Sequence, residues 1–180
     1  MTDTKGPDLK GKKVAMIIAS KNFRDEEFEE PYNLLKQSGA EVAIASSSKE
    51  KSKGMLGKVV APDKLVVDVK ADEYDCILFV GGSGASEYFE NAAAHAIAKA
   101  AVEKGKLLCA ICIAPATLAN AGVLKGRKAT CFPSVASVLT KGGASYTKQP
   151  VVRDGLIVTA SGPEAAKEFA KTVADALAGK

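Results

Sequence analysis

Three stretches of unbroken apolar sequence, Val14–Ala19, Cys76–Val80 and Leu107–Ile111, punctuate this chain. A strand that is apolar at every position is buried on both faces, and a parallel sheet covered by helices on both sides is the structure that buries strands in that way. Helical patterns fill the intervals: Glu26–Ser38 after the first run and Asn91–Lys104 before the third, with Glu41–Ser46 as a further strand. Gly39, Gly105 and Gly122 stand where a left-handed residue would close a helix before the next element. Repeated βα units of this kind predict a single-domain α/β fold, a doubly wound and mostly parallel sheet sandwiched by helices.

Two segments depart from the alternation. Lys58–Val69 carries short β-branched runs around Pro62-Asp63 and predicts a small inserted hairpin. Val151–Val158 reads as a tight strand pair around Asp154-Gly155. Gly162-Pro163 opens a C-terminal helix to about Leu177, with Ala165, Phe169, Val173 and Leu177 on one stripe. Residues 1–11 are expected to be a disordered tail, leaving 12–180 as the folded domain.

Composition removes several function classes. A chain of 180 residues can bury a core without disulfides or metals. The net charge of +4 is scattered, there is no tryptophan, and no basic stretch is interleaved with aromatics, so nucleic acid is not an expected partner. No apolar run approaches the roughly 18 residues of a membrane span, and Met1–Lys13 is too polar for a signal peptide. The four cysteines are unevenly spaced, as thiols in a reducing compartment would be, and the expected location is the cytoplasm. Neither a metal nor a cofactor is expected.

The chemistry concentrates where Leu107–Ile111 meets the next helix. Cys112 sits at that corner, with Ala110 and Ala114 at the two offsets where a sharp strand-to-helix elbow needs small side chains. Pro115 fits the first helical turn, where its missing N–H costs nothing. Cys112 is therefore the candidate nucleophile, and the positive end of the helix predicts a thiol more acidic than a free cysteine.

Ligands of open α/β sheets collect outside the carboxyl ends of the strands. Three loops converge there: Ser20–Glu27, Gly81–Ser86 and the Cys112 elbow. Gly81-Gly82 allows close backbone approach and, with the Ile113 N–H, would form a two-donor oxyanion hole; alone, such a pair is also an ordinary tight βα turn. Among the acidic residues opening the first helix, Asp25, Glu26, Glu29 and Glu30 read as a solvated face. Glu27 differs because Pro31 removes the N–H that would bond its carbonyl, so a bend is expected there. A protonated Glu27 would hydrogen-bond a Cys112 thiolate.

The remaining candidates have plainer readings beside functional ones. Arg24 would attract an anion or sit solvated in its loop, and Cys131 would be a resolving thiol near the pocket or a core residue. Cys109 and Cys112 form a Cys-x-x-Cys, but Cys109 lies inside a strand and the two side chains are expected to leave opposite faces. Cys76 reads as a small buried hydrophobe. His95, the only histidine, falls in the alanine-rich helix, away from the elbow.

Taken together, Ala19–Glu27 with Pro31-Tyr32, Val80-Gly81-Gly82, Ala110–Pro115, Gly143–Tyr146 followed by Val151–Asp154, and Thr159–Pro163 resemble the ThiJ/PfpI superfamily in order along nearly the whole chain. That superfamily includes the Parkinson-disease-associated deglycase and the PfpI intracellular peptidases. The resemblance implies a flavodoxin-like homodimer with Cys112 as elbow cysteine, Glu27 as its carboxylate partner, and the Gly81 and Ile113 amides facing the thiol. Departures are specific. Peptidase-like members carry histidine directly after the elbow cysteine, where this chain has Ile113; deglycase-like members carry one in the segment matching Thr130–Pro133, where this chain has Phe132. Peptidase-type members often have an acidic residue at the position of Arg24.

Without a neighbouring base, peptide hydrolysis is the least supported activity, because the nucleophile must lose a proton and the leaving amine must gain one. Addition of Cys112 to a small reactive carbonyl, with Glu27 moving one proton, survives the loss. The alternative is a redox sensor or chaperone whose Cys112 meets an oxidant.

Overall fold

The computed structural model describes residues 6–180. The strands are β1 (Lys13–Ile17), β2 (Glu41–Ser46), β3 (Ser52–Lys53), β4 (Val59–Val60), β5 (Lys64–Leu65), β6 (Cys76–Phe79), β7 (Leu107–Ile111), β8 (Lys128–Ala129), β9 (Ser145–Tyr146), β10 (Val151–Asp154) and β11 (Ile157–Ala160). The α-helices are α1 (Asp25–Gln37), α2 (Ala92–Glu103), α3 (Pro115–Asn120), α4 (Ala136–Lys141) and α5 (Ala166–Leu177). Seven strands make the main sheet in the order β10-β11-β7-β6-β1-β2-β5, parallel except for β10, which pairs antiparallel with β11 around Asp154-Gly155. The chain leaves β1 for β2 on one side and returns to β6 on the other. This reversal opens a crevice at the carboxyl ends of β1 and β6, where α/β folds bind ligands.

Side-chain alternation assigns the two faces. Val14 and Met16 of β1, Cys76 and Leu78 of β6, and Leu107 and Cys109 of β7 point into the core beneath α1 and α5. Ala15, Ile17, Ile77, Phe79, Leu108 and Ala110 point into the core beneath α2, α3 and α4. The expected stripe of α5 is buried at Ala165, Phe169, Val173 and Leu177. Asn91 caps α2 by accepting the Ala94 N–H at 2.9 Å. α1 runs through Pro31 without interruption.

Two sequence expectations change, and one element was not anticipated. The inserted hairpin is not Lys58–Val69: β3 pairs antiparallel with β4, and β5 instead extends the main sheet beside β2. Lys128–Tyr146 forms a small annex in which β8 and β9 pair in parallel across α4. The expected tail divides. Residues 1–5 lie outside the described residues, whereas Leu9 is fully buried in the core beneath α1 and α5, and its N–H bonds the Ser38 carbonyl at 2.7 Å. The packed body thus begins before residue 12, because an apolar side chain covers the open end of the α1–β2 turn.

Candidate active site

Cys112 follows the last residue of β7 in left-handed conformation, with φ at 66°. That conformation costs a non-glycine residue about 1–3 kcal/mol unless the surroundings hold it. Here both backbone groups are held: the Cys112 N–H donates to the Ala160 carbonyl at 2.9 Å, and the Cys112 carbonyl accepts the Phe132 N–H at 2.8 Å. Ala114 is buried directly behind the turn. The elbow turns Cys112 back toward the α1 side of the sheet, so it shares a core with Cys109, contrary to the expectation of opposite faces. Strand alternation ends at Ile111 and no longer governs residue 112. Cys109 has Cys76 as its sulfur neighbour, at 3.9 Å, and all four cysteines are free.

Glu27, in the first turn of α1, is wholly buried, and neither carboxyl oxygen has a hydrogen-bond partner of ordinary geometry among the described residues. Burial pushes its pKa up to about 8, against smaller opposing effects from Cys112 and Arg24. At neutral pH it is mostly protonated, as the sequence reading requires. The thiol does not behave as that reading expects. Burial, and next the Glu27 carboxylate, push Cys112 up to about 12, while the Gly82 and Ile113 amides pull it down. The helix end was expected to make Cys112 acidic, but α3 is only six residues long and desolvation outweighs it.

Gly81 and Gly82 divide the work that sequence left joined. The Gly82 amide, rather than that of Gly81, acts with the Ile113 amide to pull the Cys112 thiol down. Gly81 supplies space: a Cβ there would lie 2.6 Å from the Cys112 Cβ and 2.9 Å from Glu27 Oε1. Gly82 has φ at 104°, and a Cβ on it would run into the Arg24 amide nitrogen. The Arg24 N–H in turn donates to the Gly81 carbonyl at 2.9 Å, which fixes the start of α1 against the elbow. Gly81→Ala is therefore expected to lower stability by roughly 1–3 kcal/mol and any Cys112-dependent activity by about 100-fold through misplacement of the sulfur. Urea unfolding and kinetics on the same preparation measure both effects.

A cavity of about 380 Å³ opens onto the thiol, bounded by Glu27, Gly82, Ile113, Met55 and Phe132 among others. A larger cleft of about 560 Å³ adjoins it, and Arg24, Phe132 and Pro163 line both. Arg24 is neither a free anion ligand nor fully solvated: its Nε and Nη2 donate to Glu26 at 2.7 and 3.2 Å, holding the Glu26 carboxyl below its ordinary range. Cys131 lines the neighbouring cleft and not the thiol cavity, and burial pushes it up to about 12. His95 is committed elsewhere, its Nε2 lying 2.7 Å from the Phe89 carbonyl. Among the described residues no three His, Cys, Asp or Glu side chains gather as a metal-binding group, and no helix is long and apolar enough to cross a membrane.

Sequence reasoning missed Asp25 and Met55. Asp25 is not part of a solvated acidic face but buried, and it accepts the Leu56 and Lys58 amides at 2.7 and 2.8 Å. Its partners lie more than 30 residues away, so no local pattern announces them. Met55, carried on the loop that Asp25 holds, lines the thiol cavity.

A doubly wound sheet with a cysteine elbow and a buried carboxyl across the switch-point crevice defines a class of cysteine-centred α/β proteins. The chain belongs to the DJ-1/PfpI family, whose profile matches residues 12–176. It is 39% identical to an uncharacterized protein of Methanocaldococcus jannaschii, over 98% of this chain and 87% of that one. It is 34% identical to deglycase PfpI of Pyrococcus furiosus, over 82% and 89% of the two chains. It is likewise 34% identical to a glutathione-independent glyoxalase of Caenorhabditis elegans, over 82% and 78%. The crystal structure of a ThiJ/PfpI domain protein from Brachyspira murdochii superposes with a TM-score of 0.92 at 29% identity, covering 95% of this chain and 99% of that one.

Proposed function

We propose that the protein converts small reactive aldehydes, of which methylglyoxal is the test case, through Cys112 and Glu27. The observation that carries this reading is the pairing of an elbow thiol with a buried carboxyl that has no other hydrogen-bond partner of ordinary geometry, at the floor of a small cavity. The names deglycase and glyoxalase borne by relatives support it.

The Cys112 sulfur bonds to the aldehyde carbon, its proton passing to Glu27 and on to the carbonyl oxygen, to give a hemithioacetal. Glu27 then takes the hydrogen from that carbon as a proton, giving an enediol, and returns it to the adjacent carbon while the hydroxyl proton of the first carbon passes to the oxygen on the second, which leaves a thioester. Water cleaves the thioester, releasing lactate and restoring the thiol. The Gly82 and Ile113 N–H groups stabilise negative charge on sulfur or oxygen as it develops.

The pair must lose one of its two protons before sulfur can attack, and that loss is governed by the titration near 8. The expected kcat/KM rises about tenfold per pH unit below 8 and levels off above it. A flat profile between pH 6 and 8 would remove Glu27 from the proton transfers.

The redox reading requires thiolate at neutral pH, which the burial of Cys112 disfavours, and it would show as selective peroxide oxidation of Cys112 without aldehyde turnover. Peptidase chemistry lacks its base, since no histidine lines the cavity. The deciding experiment is lactate formation from methylglyoxal by the reduced protein, beside protein alkylated at Cys112. Turnover confined to the reduced form supports the proposal. No turnover with Cys112 confirmed as free thiol would overturn it.

A further inference from the structure

The loop between β3 and β4 is built more firmly than an exposed turn requires. Two of its amides, Leu56 and Lys58, end on the buried Asp25 carboxylate, the Gly54 N–H bonds the Lys58 carbonyl at 2.7 Å, and the Met55 N–H bonds the Phe23 carbonyl at 2.8 Å. A Cβ on Gly54 would come within 2.6 Å of the Asp25 carboxylate, so the chain passes the acid with no room to spare. The effect of these contacts is to set one side chain. Met55 lines the cavity above Cys112, and its thioether sulfur accepts the Ser83 N–H at 3.4 Å, one residue beyond Gly82, which lines the same cavity.

We propose that Met55 is the specificity-determining residue of this site, that it limits entry to small, unbranched carbonyl compounds, and that Asp25 is the positioning residue that holds it there. The aldehyde arm rests on the function proposed above; the gate itself does not. Asp25 sits two residues before Glu27 in the same first turn of α1, about half a turn around the helix, and its side-chain hydrogen bonds go to the loop. An unbranched thioether held by a weak sulfur contact fills the opening without sealing it, in keeping with its 43% exposure.

The test compares two pairs of probes on wild type, Met55→Ala, Met55→Leu and Asp25→Asn. The first pair is methylglyoxal and phenylglyoxal, read as kcat/KM. The second is N-methylmaleimide and N-phenylmaleimide, read as alkylation rate at Cys112 by peptide mass. Met55→Ala is expected to shift both ratios about tenfold toward the phenyl compound, whereas Met55→Leu keeps them within about twofold. Asp25→Asn retains one acceptor and is expected to shift the ratios in the direction of Met55→Ala.

Unmoved ratios in Met55→Ala, with Cys112 still alkylated, would overturn the gate. Asp25→Asn lowering Tm with unmoved ratios would reduce Asp25 to an ordinary structural residue and overturn its positioning role. Should wild type turn over neither aldehyde, the maleimide ratio still decides the gate, so the two ideas fail separately.

Discussion

Cys112→Ala is expected to lower lactate formation from methylglyoxal by about 10³-fold or more while leaving the protein folded. No other group lining the cavity can take over. Ser83 and Ser134 present hydroxyls with no histidine beside them, and Cys131 opens into the adjacent cleft with its thiol pushed up to about 12. The fold survives because alanine and cysteine pay a similar penalty in left-handed conformation, and the two backbone hydrogen bonds of residue 112 do not involve the side chain. The variant also removes the interaction that holds Glu27 down, so the carboxyl should titrate above the wild-type value of about 8. A 13C-labelled Glu27 resonance followed against pH would record that rise. Retained turnover would move the chemistry to another residue, and a fall would mean that the thiol does not stabilise the carboxylate.

Glu27→Gln should have two opposed consequences, a slower reaction and a more stable protein. Loss of the proton carrier lowers kcat by about 10²–10⁴-fold. Stability follows from the direction of the pKa shift. The folded state holds the Glu27 proton up to about pH 8, whereas the unfolded chain releases it near 4.5. The native state is therefore unpenalised below 4.5 and loses stability as the pH rises toward 8, by something on the order of 5 kcal/mol in all. Glutamine carries no charge and escapes that loss. Tm values of wild type and variant should converge near pH 4.5 and separate to about 10 °C at pH 8, with the variant higher. Parallel Tm curves across that range would show that Glu27 is not buried against its charge.

What the sequence disclosed follows from the range over which its signals act. The strands β1, β6 and β7 were legible because burial on both faces writes itself into consecutive residues. The elbow was legible because Ala110, Cys112, Ala114 and Pro115 lie within one turn of one another. Glu27 emerged through a local irregularity, the proline four residues on. Asp25 stayed hidden, since it stands in an acidic run that reads as a helix start while its partners lie on another loop. Gly81 and Gly82 were recognised as a pair, but only their packing separates the residue that makes room from the one that donates. The acidity of Cys112 was misjudged for a related reason. A helix end can be read from a proline, whereas desolvation by the surrounding loops depends on segments far apart in the chain. The annex of β8, α4 and β9 escaped because two-residue strands carry too little periodicity to register.

The left-handed backbone at residue 112 has a bearing on how this position changes over time. Glycine adopts that conformation freely, and the hydrogen bonds that pin the turn come from the main chain, so the backbone gives no reason to keep a side chain there. A copy of this protein released from its chemistry could relieve the backbone strain by drifting to glycine at this one site, giving up only the packing of one small side chain. The thiol is thus a standing cost that only use offsets, and the identity of residue 112 in any descendant reports whether that use continues.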